Sequence, residues 1–432
     1  RGHRNHRALR KSPCAGQDCG NSSKSRSGKS SALMSAQDQP VSSTFGRNVL
    51  LATLVAVGMG HTVLFAVLAP LGRDIGLTEV QIASIISASS ITVFLCAPVW
   101  GRISDRWGRK KVMLVGLFGY AFGTVLFTTI CESALIGLLA PLPAYIALIV
   151  SRMMHASLMS AAMPSASAYM ADITDASTRT KGMGAVGAAN NLGAIMGPAL
   201  GAGLATISLL APLWFAGGFT LIVGIIVLYL LPDAPRQIVT QMPKKMRRTD
   251  PRIFAFFVMG VLMFMGFSIV QQTMAFRLQD SLNLTGAETA NMFGIGMMMS
   301  AAASLVSQGI IVQRFELKPF TLLRLAIPLL ILAFAIMANF STRDFLLGSM
   351  VLMGLGMGLA GPGYMAGASL AVGPEEQGAV AGVAGSAGPM GFTIGPLIGS
   401  SLYTVQPEYP YLFALVVFVL LFVFTMFSRL GK

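Results

Sequence analysis

Residues 184–203 read GAVGAANNLGAIMGPALGAG, and the glycine spacing of this stretch recurs once in the chain. Gly184, Gly193, Gly197-Pro198 and Gly201 form a frame that Gly382, Gly391, Gly395-Pro396 and Gly399 repeat, each 198 positions later. A five-residue frame kept at one offset is not a product of glycine abundance, even with 47 glycines in the chain. The chain therefore reads as two related halves.

Composition sets the class. Of 432 residues 54% are apolar and only 11% charged, which rules out a chain of ordinary soluble domains. Apolar segments fall near 48–71, 80–100, 112–131, 144–169, 183–206 and 211–231, then near 253–275, 289–312, 320–340, 345–372, 379–404 and 410–428. Runs of this length span a bilayer as helices. The expected architecture is an all-α membrane protein of twelve helices in two six-helix bundles, 47–231 and 253–430. Between them lies a basic, proline-bearing linker, 232–252.

The net charge of +14 does not point to nucleic acid, because no basic folded domain exists to carry it. Half of it lies in residues 1–33, which hold eight Lys/Arg against Asp18. Residues 1–46 are read as a disordered N-terminal tail. Their first 33 residues are read as an upstream extension, since an ordinary tail starts at Met34 and the chain opens on Arg. Elsewhere the cations mark topology. With both termini cytoplasmic, the internal loops 2–3, 4–5, 6–7 and 8–9 carry 5, 2, 6 and 2 Lys/Arg. The external loops then hold only Arg73, Arg277 and Arg343. The positive-inside rule selects this orientation. Cys14, Cys19, Cys96 and Cys131 read as free thiols rather than a disulfide or metal framework. No Walker sequence, Cys/His cluster or hydrolase elbow appears, so ATP-driven transport by this chain alone, an enzyme, a metal site and a cofactor find no support.

Between segments 2 and 3 lies GRISDRWGRKK, residues 101–111. Gly101 and Gly108 suit a tight reversal, and Asp105 sits among Arg106, Arg109 and Lys110. Cations alone would serve topology; the aspartate and the two glycines ask for more. Here the chain resembles the major facilitator superfamily, whose loop signature G-x-L-x-D-R-x-G-R-K/R it matches, with Ile103 for the usual leucine. The resemblance covers about residues 46–430. It implies two bundles of inverted three-helix repeats around a midplane cavity, working by rocker-type alternating access. It also implies that Asp105 latches the cytoplasmic end of helix 11 when the transporter faces outward. There it would meet the helix dipole near Glu375 and Glu376 while Arg106 or Arg109 pairs with a glutamate.

Segment 4 contains RMMHASLMSAAMP, residues 152–164. Arg152 lies about ten residues into the span, where an unpaired cation costs about 2.5–3.5 kcal/mol on insertion scales. It shares one face with His155 and Met159. One reading points Arg152 into the cavity; the other lets it snorkel or pair for stability. The family signature here, an arginine followed by glutamine and glycine, is associated with proton coupling; this chain has His155 and Ala156 instead. All seventeen acidic residues map to loops, tails or helix ends. The mid-membrane titratable candidates are thus His61 and His155, with Arg152 as a field source. For His61 alone a hydrogen-bonded packing role is the stronger reading.

In segment 5, Gly193, Gly197 and Gly201 line one face and suit close helix approach, Pro198 should bend the helix, and Gly184 falls on the opposite side. The resemblance makes this frame the antiporter signature G-x8-G-x3-G-P-x2-G-G, with Ala202 for its last glycine; packing alone is the competing account. Asn190, Asn191, Gln271, Gln272, Asn291 and Tyr364 are candidate cavity residues, and the 27 methionines suit a cavity of adaptable shape.

The function expected is a monomeric secondary exporter, a proton antiporter of amphipathic small molecules in the bacterial inner membrane, resembling the twelve-helix drug-efflux group. A dedicated exporter of a metabolite such as a siderophore shares every motif. A sugar or organic-acid importer has only Arg152 in its favour.

Overall fold

The computed structural model describes residues 43–174, 178–233, 246–315, 317–373 and 376–427. Among the described residues twelve membrane-length helical segments follow one another, six before the linker and six after it. The first six are α1 (Ser43–Asp74), α2 (Glu79–Trp107), α3 (Arg109–Leu135), α4 (Pro141–Asp172), α5 (Arg179–Ala205) and α6 (Ala211–Leu230). The second six are α7 (Pro251–Leu282), α8 (Gly286–Val312), α9 (Pro319–Asn339), α10 (Arg343–Leu370), α11 (Gln377–Gly385 with Ala387–Tyr403) and α12 (Tyr409–Phe427). The expected tail lies outside the described residues up to position 42, as do linker residues 234–245 and Glu375.

Local chemistry sets the helix ends. Thr78 and Thr285 open α2 and α8 with reciprocal capping boxes to Gln81 and Glu288. Asn283 ends α7 in the left-handed conformation, φ 51°. Two helices break one turn ahead of a proline: α4 after Met159, with Pro164 following, and α11 at Ser386, with Pro389 following. Each proline removes a donor and crowds the carbonyl four residues back. Pro198 leaves α5 in one piece. Ten of the twelve helices are long and apolar enough to cross a membrane by themselves. The other two are α5 and α11, the carriers of the repeated frame, where glycine adds little hydropathy and, in α11, the helix is interrupted. Leu95, Val150 and Leu420 are exposed on the outer surface, as lipid contact allows.

The frame does the same work twice. A Cβ on Gly193 would meet the Val55 carbonyl and the Met59 amide of α1, and one on Gly197 would meet Thr62 Oγ1 and the Met59 carbonyl. A Cβ on Gly391 would meet the Met265 amide of α7, and one on Gly395 Ser268 Oγ and the Met265 carbonyl. Gly201 faces Val63 and Ala66, and Gly399 faces Ile269 and Thr273. The α5–α1 contact is thus reproduced as α11–α7, the pseudo-two-fold repeat in atomic terms. Gly184 and Gly382 meet nothing within 4 Å, so the first glycine of the frame has no part in this packing.

Candidate functional site: a cavity between the halves and the networks around it

The face where α1 begins and α2 turns into α3 is called the near face, and the one where α1 ends the far face. The halves meet at the far face. Arg73, ending α1, donates to Asp280 of α7 through Nη1 at 2.6 Å and Nη2 at 3.0 Å, and to Gln279 at 3.0 Å. It also binds Glu79 at 2.8 Å, while the Tyr403 hydroxyl of α11 donates to Asp280 at 2.7 Å. Asn291 Nδ2 of α8 donates to the Ala202 carbonyl of α5 at 3.1 Å, and Gly294 lies against Pro198 and Ala202. Phe65 of α1 meets Phe392 of α11 at 5.9 Å between ring centroids.

Beneath this seal a cavity of about 280 Å³ lies between α1 and α5 on one side and α7, α8 and α10 on the other. Among its polar lining residues are Thr62, Asn191, Gln271, Ser300, Ser304 and Gln308. Phe264, Phe267, Met297 and Met357 supply apolar wall. Ser300, Ser304 and Gln308 recur every four residues, a polar stripe on one helix face that the sequence displays and that was missed. Gln308 sits in a π-helical segment, Ser307–Val312, and its Nε2 donates to Ser304 Oγ at 3.1 Å. Such segments recur at functional sites.

Of the expected cavity residues, Gln271 is in the wall. Asn191 lines it, whereas Asn190 is half-buried with its carbonyl against Gly58 of α1. Gln272 is buried outside the lining, its Nε2 without a partner. Asn291 belongs to the far-face seal. Tyr364 is buried, its hydroxyl donating to the Ala384 carbonyl and its ring against Gly260, so it ties α10 to α11 and α7. Whether a polar side chain in a helix faces the cavity depends on which neighbouring carbonyl it finds, and no single-helix pattern shows that.

A second cluster lies inside the first half. Arg152 is 8% exposed and its Nη1 is hydrogen-bonded to His155 Nδ1. The guanidinium stands 5.9 Å from the Phe127 ring centroid, and the His155 ring meets Tyr120 edge-on at 4.7 Å. Arg152 Nε and His155 Nε2 have no partner among the described residues. Gly123 of α3 admits His155, since a Cβ there would stand 2.9 Å from its Cα. Arg152 is neither at the lipid surface nor in the cavity wall. His61 is exposed one residue from cavity-lining Thr62 and lies 6.2 Å from the Phe65 ring centroid.

At the near face Arg109 is the hub of the α2–α3 loop. Its Nε donates to Asp172 at 2.9 Å, and its Nη1 to Ser104 Oγ at 2.8 Å and to Asp105. Gly108 takes φ +101°, which disfavours any side chain, so the reversal is a one-residue turn. The expected role of Gly101 is corrected: it lies within α2, a Cβ there would meet nothing, and it makes no part of the turn. Lys110 is the second residue of α3, one after the hub. The latch is expected of the outward-facing state; in this conformation, closed at the far face, Arg109 serves Asp105 and Asp172. Glu376 binds Arg252 of its own half at 2.8 Å, and Glu375 lies outside the described residues. Arg252 also holds Asp250 through a hydrogen bond, keeping that carboxyl below its ordinary range.

The fold has counterparts in known proteins. A bacterial homologue of the human lysosomal transporter Spinster, solved inward-facing and occupied, superposes with TM-score 0.70 at 14% identity, over 89% of this chain and 96% of that one. The human organic anion transporter MFSD10 (TETRAN) gives 0.64 at 21% identity, over 88% and 98%. Multidrug resistance protein 1 of Bacillus subtilis is 26% identical over 375 residues, covering 85% of this chain and 92% of that protein. Quinolone resistance protein NorA of Staphylococcus aureus is 22% identical over 368 residues, covering 84% and 91%. The family model described as Major Facilitator Superfamily matches residues 50–388 and again 256–431. With most of the sequence matched and the same helical architecture in solved transporters, the chain belongs to the major facilitator superfamily and is a multi-pass membrane transporter, not an enzyme.

Proposed function

We propose that the protein is a proton-coupled exporter of amphipathic organic compounds, set in the bacterial inner membrane with both termini cytoplasmic. The cavity between the halves, closed at the far face by Arg73–Asp280, carries this reading. In the orientation favoured by the basic loops, the far face is external and the conformation is the one that loads from the cell interior. The wall of phenylalanine and methionine suits varied apolar shapes. The relatives named for multidrug and quinolone resistance support outward transport of such compounds.

Arg152 and His155 are assigned to coupling. A proton arriving at His155 Nδ1 removes the acceptor that Arg152 uses and sets two cations side by side in a carboxylate-free interior. The pair then separates, and α4 changes its packing on α3. Exchange of one proton for one rearrangement ties export to the gradient. The organic-acid importer loses its one argument, because Arg152 does not line the cavity.

The test is a susceptibility and accumulation panel in an efflux-deficient host, with and without a proton uncoupler. Resistance to several unrelated amphipathic compounds, lost with uncoupler, is expected. No resistance, together with one metabolite retained by a deletion strain, replaces this reading with a dedicated metabolite exporter.

A further inference from the structure

The cavity wall carries no formal charge. Among its described lining residues there is no Asp, Glu, Lys, Arg or His, and its polar groups are amides and hydroxyls. Four of the six, Gln271, Ser300, Ser304 and Gln308, are on α7 and α8, while Thr62 of α1 and Asn191 of α5 stand on the opposite side beside Ala194 and Ile195. Gln271 is the most enclosed of them at 5% exposure. Its Nε2 has only Met297 Sδ, at 3.9 Å, and its Oε1 has no partner. A primary amide buried in this way is poorly satisfied until a ligand fills the space beside it.

Two consequences follow for what can be held here. A neutral molecule with an N–H or O–H group supplies what Gln271 lacks, and its apolar body fits the rings of Phe264 and Phe267. An organic cation loses water and finds no carboxylate; contact with those rings returns only part of the loss. We propose that Gln271, supported by the Ser300–Ser304–Gln308 stripe, is the specificity-determining group for electrically neutral, donor-bearing amphipathic substrates, and that the charge-free wall selects against organic cations. This deepens the export reading and rests on it for the direction of transport only.

The experiment measures equilibrium binding to the purified full chain in detergent, so that it does not depend on transport. The probes are chloramphenicol, neutral with amide and hydroxyl donors, and tetraphenylphosphonium, a permanent cation. The unmodified protein is expected to bind chloramphenicol about tenfold more tightly than tetraphenylphosphonium. Gln271→Ala should weaken chloramphenicol about tenfold and leave the cation unchanged, and Gln271→Glu should tighten the cation by about the same factor. Ser304→Asp, on the same wall, makes the second test if Gln271→Glu does not yield folded protein, and the same gain for the cation is expected. Equal or tighter binding of tetraphenylphosphonium to the unmodified chain, binding of neither probe, or acidic variants that leave the ratio unchanged would overturn the proposal. Neutral-selective binding without uncoupler-sensitive efflux would sink the export reading instead and leave this one standing.

Discussion

The interiors of the two halves are built on one backbone plan and filled with different chemistry. In both, a glycine-bearing helix lies against the first helix of its half through matched amide and hydroxyl positions: Met59 and Thr62 in one, Met265 and Ser268 in the other. In the first half the interior then holds Arg152, His155 and Tyr120, with α3 supplying the glycines that admit α4. In the second half α10 supplies the glycines, Gly354 and Gly358 against α8, and the polar groups nearby are neutral: Gln271, Ser300, Ser304 and Gln308. The duplication kept the close approach of backbones and let side chains diverge. The Arg152–His155 pair lies in one half, and four of the six polar residues of the cavity wall lie in the other.

The largest expected effect tests the shared part. Gly193→Ala drives a methyl to 2.0 Å from the Val55 carbonyl oxygen and Gly391→Ala one to 2.7 Å from the Met265 amide, so each should destabilise the folded protein, by about 1–3 kcal/mol, and the first more than the second. Gly184→Ala and Gly382→Ala, which meet open space, should change stability by about 0.5 kcal/mol or less. Thermal unfolding followed by fluorescence-detected gel filtration reads all four. A frame acting as one device would show the four alike.

The next effect tests the difference. His155→Ala and Arg152→Ala should cut pH-gradient-driven transport by at least about tenfold while leaving substrate affinity within about twofold. Gln271→Ala should do the reverse, weakening affinity while the remaining flux still follows the gradient. Flux into proteoliposomes with an imposed pH gradient separates the two. Gradient dependence that survives in His155→Ala moves coupling away from this cluster, to Asp105 or Asp172 at the near face.

Sequence patterns carried the first half of this comparison further than the second. The apolar segments, the repeated frame and the i, i+3 placement of Arg152 and His155 all act within one helix, where periodicity is readable, and the structure has them as a hydrogen-bonded pair. The cavity is made by five helices from both halves, and its residues depend on rotation and depth that one helix does not encode. Tyr364 shows this: it is polar and mid-helix, yet its hydroxyl is tied to the Ala384 carbonyl. The break at Ser386 was within reach, since Pro389 stands one turn beyond it, but the copy of the frame suggested a helix as continuous as α5. The far-face pair Arg73–Asp280 joins residues 207 positions apart, and no spacing rule connects them.

The near-face loops extend the contrast with a smaller effect. The α2–α3 loop is organised by one arginine donating to two carboxylates, whereas Arg314 and Lys318 of the α8–α9 connection form no such hub among the described residues. Arg109→Lys keeps the charge but cannot donate from both Nε and Nη1, and Asp105→Asn weakens one arm. Each should lower transport by about three- to tenfold with expression retained. Arg314→Gln should change it by less than about twofold. Unchanged transport in Asp105→Asn would sink the latch assigned to this loop.

The smallest effect comes from the other near-face arginine, and the reason is exposure. Arg252 bridges Asp250 and Glu376 as Arg109 bridges Asp105 and Asp172, but its side chain is 48% exposed against 13% for Arg109. Water and salt screen such a pair, so most of its Coulomb energy is lost. What remains has a definite sign. The Asp250 carboxyl is held below its ordinary range by the Arg252 hydrogen bond. The pair therefore contributes stability above the ordinary carboxyl value, near pH 4, and loses it as the pH falls through the lower folded value. At low salt, Asp250→Asn should melt slightly below the unmodified protein at neutral pH, and the two curves should converge in acid. A high-salt buffer should close the gap at every pH. A gap that widens in acid would mean that Asp250 is held by something other than Arg252, and the likeness between the two arginine hubs would end at their geometry.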